Sequence, residues 1–184
     1  MKQSLRPAIV ALLAFTVITG VLYPVLVLGI AQLAFPRQAN GDAALIGQPF
    51  DKPAYLWGRP SAVAYNAMTS SGTNLGPANP ALHEAAAARV KALRDADPGN
   101  AAPIPVDLVT SSASGLDPHI SPAAAYYQAA RIARARGLAE ADVRAVIADH
   151  VEGRTLGVLG EPRVNVAAVN RALDARNATT GPPR

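Results

Sequence analysis

Polar and apolar positions divide the chain into two unequal parts. Between Arg6 and Arg37 no residue is charged, and the text "PAIVALLAFTVITGVLYPVLVLGIAQLAFP" is almost wholly apolar. About 20 apolar residues span a bilayer as a helix, so this run is long enough to cross with tilt or a bend, for which Pro24 is the candidate. A secretory leader has a shorter apolar region followed by a small-x-small cleavage site. Only "GIA" at Gly29 to Ala31 offers one, and the length favours an uncleaved anchor. Lys2, Arg6 and the terminal amine precede the run, while Arg37 and Asp42 follow it. The positive-inside bias puts the N-terminus in the cytoplasm and the rest of the chain outside it. Thr16 and Gly20 share a helix face that admits a close partner helix, with Pro24 and the polar Gln32 further along.

Beyond the anchor the pattern is shorter and mixed. The segments around Leu45-Ile46 and Tyr55-Trp57 read as short strands or extended pieces, with Trp57 in a core or an interface. Asn79-Pro80 is a helix start, and "PALHEAAAARVKALRDAD" follows with one apolar side. "VDLVT" (Val106 to Thr110) alternates like a buried strand. Ser121-Pro122 opens a helix that Gly137 stops. A further helix covers about 140–151, and a last one starts near Asn165 with Val166, Val169 and Leu173 on one side. The expected architecture is α+β: a single N-terminal transmembrane helix, then one helix-rich extracytoplasmic domain with a few short strands. The expected divisions are residues 1–6 in the cytoplasm, 7–36 as anchor, 37–176 as domain and 177–184 as a disordered tail.

Composition narrows the function. Of the 17 basic residues, Lys2 and Arg6 precede the anchor, and the others are interspersed with 13 acidic ones. With no basic stripe and only 5% aromatic residues, nucleic acid is not an expected partner. There is no cysteine, hence no disulfide framework or thiolate metal site. The only lysines are Lys2, Lys52 and Lys91, and no phosphate-binding loop of the G-x-x-x-x-G-K-[ST] type is present. Ser112, Asp117 and His119 invite a hydrolase reading, yet no G-x-S-x-G turn accompanies them. His83, His119 and His150 lack metal-binding spacing, and His83 beside Glu84 reads as a surface pair. Arg131, Arg134 and Arg136 read as a solvated helix face.

One phrase occurs twice. In "SGTNLGPANP" (71–80) and "SASGLDPHISP" (112–122), Ser71, Thr73, Leu75 and Pro77 align with Ser112, Ser114, Leu116 and Pro118. Each phrase reads as a loop that caps a helix, or as a polar surface that holds an anion or a partner loop. Asn74, Ser112, Ser114, Asp117 and His119 are the candidate surface residues, with Arg163 and Asn165 near the last helix start. Asp117 is a turn residue before Pro118, or a charge that attracts cations.

The strings "YLWGRPSA", "SSGTNLGPANP", "DLVTSSASGLDPHISPAAA" and "LGEPRVNVAAVNRAL", in this order behind one N-terminal span, resemble the C chain of the potassium-transporting Kdp ATPase, the KdpC family. One departure is Ala139, where a capping Ser is expected. The resemblance implies a non-catalytic accessory subunit of a bacterial inner-membrane complex that imports potassium at the expense of ATP. The implied partners are an ion-translocating (A), an ATP-hydrolysing (B) and a small (F) subunit. It also implies a part in assembly and in raising the ATP affinity of the ATPase subunit. No cofactor is expected on this chain alone, and ATP enters only through the complex. A membrane-anchored scaffold or binding protein, or an anchored hydrolase, is the alternative.

Overall fold

In the computed structural model, which describes residues 2–35 and 45–180, the apolar run is helical along almost its whole length. Arg37, Asp42 and residues 181–184 lie outside the described residues. The chain divides into two units, residues 1–43 and 44–184. In the first, α1 (Lys2–Val17) and α2 (Tyr23–Ala34) are joined by a π-helical turn, Ile18–Leu22. Leu5–Ala34, 30 residues, is long and apolar enough to cross a membrane, at about 45 Å for an ideal helix. Pro24 has no N–H to offer the turn before it, and its ring crowds that turn. The wider π-turn, closed by the Tyr23 N–H on the Ile18 carbonyl, lies immediately before it. Thr16 donates its hydroxyl to the Leu12 carbonyl at 2.8 Å, so its polarity is satisfied within the helix. A Cβ added at Gly20 would meet nothing within 4 Å, and Gln32 is exposed.

In the second unit, α3 (Pro80–Ala96) is followed by a 3-10 turn (Val106–Leu108), β1 (His119–Ile120), α4 (Pro122–Tyr127) and α5 (Ala129–Arg136). Next come α6 (Glu140–Asp149), β2 (Val151–Glu152), β3 (Arg163–Asn165) and α7 (Val166–Thr180). The strands form an antiparallel sheet in the order β1-β3-β2, with Ile120 and Val151 both opposite Val164. Helices α4 and α7 pack on β3, and α6 packs on α4, α5 and α7. Their shared core holds Ile132, Val143, Ile147, Val164, Val169 and Leu173, all fully buried. Helix α6 starts at Ala139 without a side-chain cap; Glu140 and Asp142 in its first turn complement the helix dipole instead. Helix α7 runs to Thr180, into the stretch expected as a tail.

Three expectations are corrected. Leu45-Ile46 forms a turn and bend rather than a strand, and Leu45 is 74% exposed. Val106 to Thr110 does not make a strand either: Val106 is exposed, and only Leu108 of the 3-10 turn is buried. Pro105 leads into a turn in which the Val109 N–H reaches the Val106 carbonyl, so the alternating pattern has no neighbouring strand to serve.

The third correction concerns Tyr55-Trp57 and the arginines together. The segment forms no strand: Tyr55 closes a turn on the Lys52 carbonyl, Leu56-Trp57 follow without regular structure, and their partners are side chains. Asn170 accepts from the Leu56 N–H at 2.7 Å and donates to the Leu56 carbonyl at 3.0 Å. Gln128 does the same for Trp57, at 2.9 and 3.1 Å. Arg131 donates to the carbonyls of Pro53 (2.5 Å) and Tyr55 (3.1 Å), and Arg136 to that of Ala54 (2.6 Å). Far from being solvated, Arg131 is 3% exposed and lies over the Trp57 ring at 4.3 Å. The Arg136 side chain is equally covered and pairs with Asp174 at 2.8 Å. Arg134 is exposed but binds the buried Asp97. Burial pushes the Arg131 guanidinium down to about 10, against the upward pull of Asp97, so it stays charged at neutral pH.

This pairing predicts that Asn170→Leu destabilises the protein, although it adds apolar bulk to a core. Two buried backbone groups would lose their partners, at a cost of roughly 3 kcal/mol. Thermal unfolding of the full chain in detergent measures it; an unchanged or raised midpoint would contradict the role given to Asn170.

Candidate functional site

The two similar phrases are paired in space. Ser70 donates its hydroxyl to the Ser114 carbonyl at 3.0 Å. Gly72 lies on Ala113, where an added Cβ would sit 2.9 Å from the carbonyl oxygen. Gly115, at φ +68°, lies on Ser71, where an added Cβ would sit 2.6 Å from the carbonyl oxygen. Ser61 closes the contact by donating to the Gly115 carbonyl at 2.6 Å. Each phrase then starts a helix. Asn79 accepts from the Ala81 N–H at 3.0 Å and Ser121 from the Ala124 N–H at 3.1 Å, each followed by Pro in the first turn. Asp107 in turn holds Ser121, accepting from its N–H at 2.7 Å and its hydroxyl at 3.2 Å.

The polar side chains of the second phrase are spent on its own backbone. Ser112 is 2% exposed and accepts from the Gly115 N–H at 2.9 Å. Ser114 accepts from the Leu116 N–H (3.1 Å) and Asp117 from the His119 N–H (3.0 Å). These are local turns of Ser and Asp onto the chain just ahead. A buried, engaged Ser112 hydroxyl is not placed to attack a substrate, which removes the hydrolase reading of Ser112, Asp117 and His119. Asn74, at φ +51°, is exposed on the first phrase and donates to the Gly72 carbonyl at 3.3 Å.

Of the residues singled out from the sequence, Asp117, His119 and Arg163 line one groove of ≈ 510 Å³. Arg59, Asp107 and Glu161, not foreseen, line it too. Arg59 reaches the Asp117 carboxylate at 3.4 Å and the Ser111 carbonyl at 3.1 Å. The His119 Nδ1 lies 3.5 Å from Asp117, and Arg163 pairs with Glu152 at 2.8 Å. Asp117 is therefore a turn residue with an arginine beside it rather than an isolated charge for attracting cations. Asn165 faces His119 across the β1–β3 pair and caps α7, accepting from the Ala168 N–H at 3.0 Å. Among the described residues no cluster of three or more His, Asp or Glu could hold a metal ion.

A second pocket, of ≈ 400 Å³, adjoins the first through Arg59. Phe50, Trp57 and Tyr65 line it, together with the buried Leu93 and Leu108. Arg89 reaches it from α3. Tyr65, at φ +59°, donates its hydroxyl to the Arg59 carbonyl. Burial raises the Tyr65 phenol above its ordinary value, helped by the negative charge of Asp117. Burial lowers the Arg89 guanidinium. The single tryptophan ahead of "GRPSAVAY" was the only sequence signal of this pocket.

The loop pairing makes two glycines unequal. Gly115→Ala combines left-handed backbone with backbone contact and costs about 3 kcal/mol. Gly76→Ala meets open space and shifts stability by about 0.5 kcal/mol or less. Unfolding midpoints of the two variants, measured side by side, test this; equal effects would mean that the phrases do not pair.

Comparison with known proteins gives the family. A family model described as "K+-transporting ATPase, c chain" matches residues 5–175. The chain is 59% identical to the "Potassium-transporting ATPase KdpC subunit" of Sorangium cellulosum (strain So ce56), over 95% of this chain and 98% of that one. It is 59% identical to the protein of the same description from Methylococcus capsulatus (strain ATCC 33009 / NCIMB 11132 / Bath), over 95% and 99%. With that of Polaromonas naphthalenivorans (strain CJ2) it shares 55%, over 99% and 100%. Matches of this depth along nearly the entire length place the chain in the KdpC family, the c chain of the potassium-transporting ATPase.

Proposed function

We propose that this chain is a non-catalytic accessory subunit of an ATP-driven potassium import complex in the bacterial inner membrane. The full-length family match carries the reading. The spent hydroxyls of the second phrase support it, because they leave Ser112 unsuited to covalent chemistry. Catalysis then resides in the ATP-hydrolysing subunit, potassium passes through the ion-translocating one, and a small third partner completes the assembly. The N-terminus is cytoplasmic and α1–α2 cross the membrane once, with the Thr16–Gly20 face against a partner helix. The domain lies outside and caps the outer mouth of the ion-translocating subunit. Asn74 on the first phrase and the groove that Asp117, His119 and Arg163 line make that contact.

In this arrangement the chain binds no cofactor by itself. Its influence on the ATP affinity of the partner is a coupling free energy between separate sites, conveyed through the complex. The same coupling makes nucleotide binding tighten the hold of the partner on this chain.

Two measurements test the reading. Gentle detergent extraction of membranes from potassium-starved cells, then affinity purification of this chain, should bring down large membrane partners with potassium-stimulated ATP hydrolysis. A chain that elutes alone and inactive would sink the pump assignment. Separately, a cysteine placed at Ala101, in the exposed loop beside Asn100, should react with an impermeant thiol reagent in intact cells. Protection until the cells are broken would put the domain on the cytoplasmic side.

A further inference from the structure

The pocket that Trp57 and Arg89 line is not accounted for by the subunit role. Its walls are held in place before any ligand arrives. Trp57 is fixed at its backbone by Gln128, at its indole N–H by the Lys52 carbonyl (3.0 Å) and across its ring by Arg131. Tyr65 is fixed by its hydroxyl bond to Arg59, and its ring lies so close to Gly47 that an added Cβ there would come within 2.3 Å of it. A preformed pocket of ≈ 400 Å³ with aromatic walls suits a small apolar body.

Its hydrogen-bond donors are equally specific. Arg89 has no hydrogen bond or ion pair among the described residues. Arg59, Arg94, Arg131, Arg134, Arg136, Arg144, Arg154 and Arg163 all have one. The Arg59 Nε is likewise buried without a partner. A half-buried guanidinium with open donors beside aromatic rings is a seat for a planar anion that it can grip with two parallel bonds. Asp51 lines the same pocket, and Asp117 offsets Arg59. These four charges cancel, so an anion is favoured only by the open donors of Arg89 and Arg59, which suits a single carboxylate and not the three or four negative charges of a nucleoside triphosphate.

We infer that this pocket binds a monoanionic carboxylate carried on a small apolar or aromatic body, with Arg89 gripping the carboxylate and Phe50, Trp57 and Tyr65 enclosing the rest. The inference stands independently of the pump assignment. Trp57 is the only tryptophan, so its fluorescence reports on this site alone. The full chain in detergent would be titrated with phenylacetate, and in parallel with its neutral amide, with acetate and with ATP. Phenylacetate should give a saturable change about tenfold tighter than phenylacetamide, acetate and ATP. Arg89→Gln should abolish that preference at an unchanged melting temperature, and Arg89→Lys should retain part of it. The absence of saturation, equal binding of acid and amide, an unaffected Arg89→Gln protein, or ATP binding that depends on Arg89 would each overturn the inference.

Discussion

The domain depends on one arrangement: a turn and the irregular stretch after it, Pro53 to Trp57, hydrogen-bonded to the side chains of helices. Two amides, Gln128 and Asn170, each satisfy a backbone N–H and a carbonyl, as a neighbouring strand would. Arg131 and Arg136 supply donors for the three carbonyls that precede them. A buried backbone without partners would cost far more than it gains from apolar contact, so the fully buried Leu56 is tolerable only because these side chains are there. The arrangement also explains the buried charge of Arg131. Its guanidinium is surrounded by acceptors and by the face of Trp57, so its burial is compensated rather than avoided.

What lies next to the clamp inherits its rigidity. Trp57, Gly58 and Arg59 leave the clamped segment directly into the wall between the two pockets. On the far side, the paired phrases hold Arg59 through Ser111 and Asp117. The repeated hydroxyl, Gly and Pro text thus has two uses. It begins α3 and α4, and it supplies two glycine faces on which the loops close against each other. In the second phrase Ser112, Ser114 and Asp117 are engaged in that work. A domain so built presents shaped, preformed surfaces, in a family whose relatives are described as subunits of a potassium-transporting ATPase.

Local free energies were legible in the sequence. Apolar length marked the helix Leu5–Ala34, and Asn79-Pro80, Ser121-Pro122 and Gly137 marked where helices start and stop, because hydropathy and capping act within a few residues. The order of four unusual strings was enough to indicate the family, and Asp117, His119 and Arg163 did converge on one groove. Tertiary structure alone decided the rest. The arginines at 131, 134 and 136 carry the same local signal as a solvated helix face, and only the carbonyls of residues 53–55 made two of them interior. The same holds for the amides, whose partners lie 114 residues away for Asn170 and 71 for Gln128. Strands of two or three residues leave no periodicity to read, and the pocket at Arg89 exists because α3 comes to lie beside residues 49–65. Such pairings are written nowhere in the neighbourhood of the residues that make them; they arise when the packed core brings distant segments to hydrogen-bonding distance and leaves no water to compete.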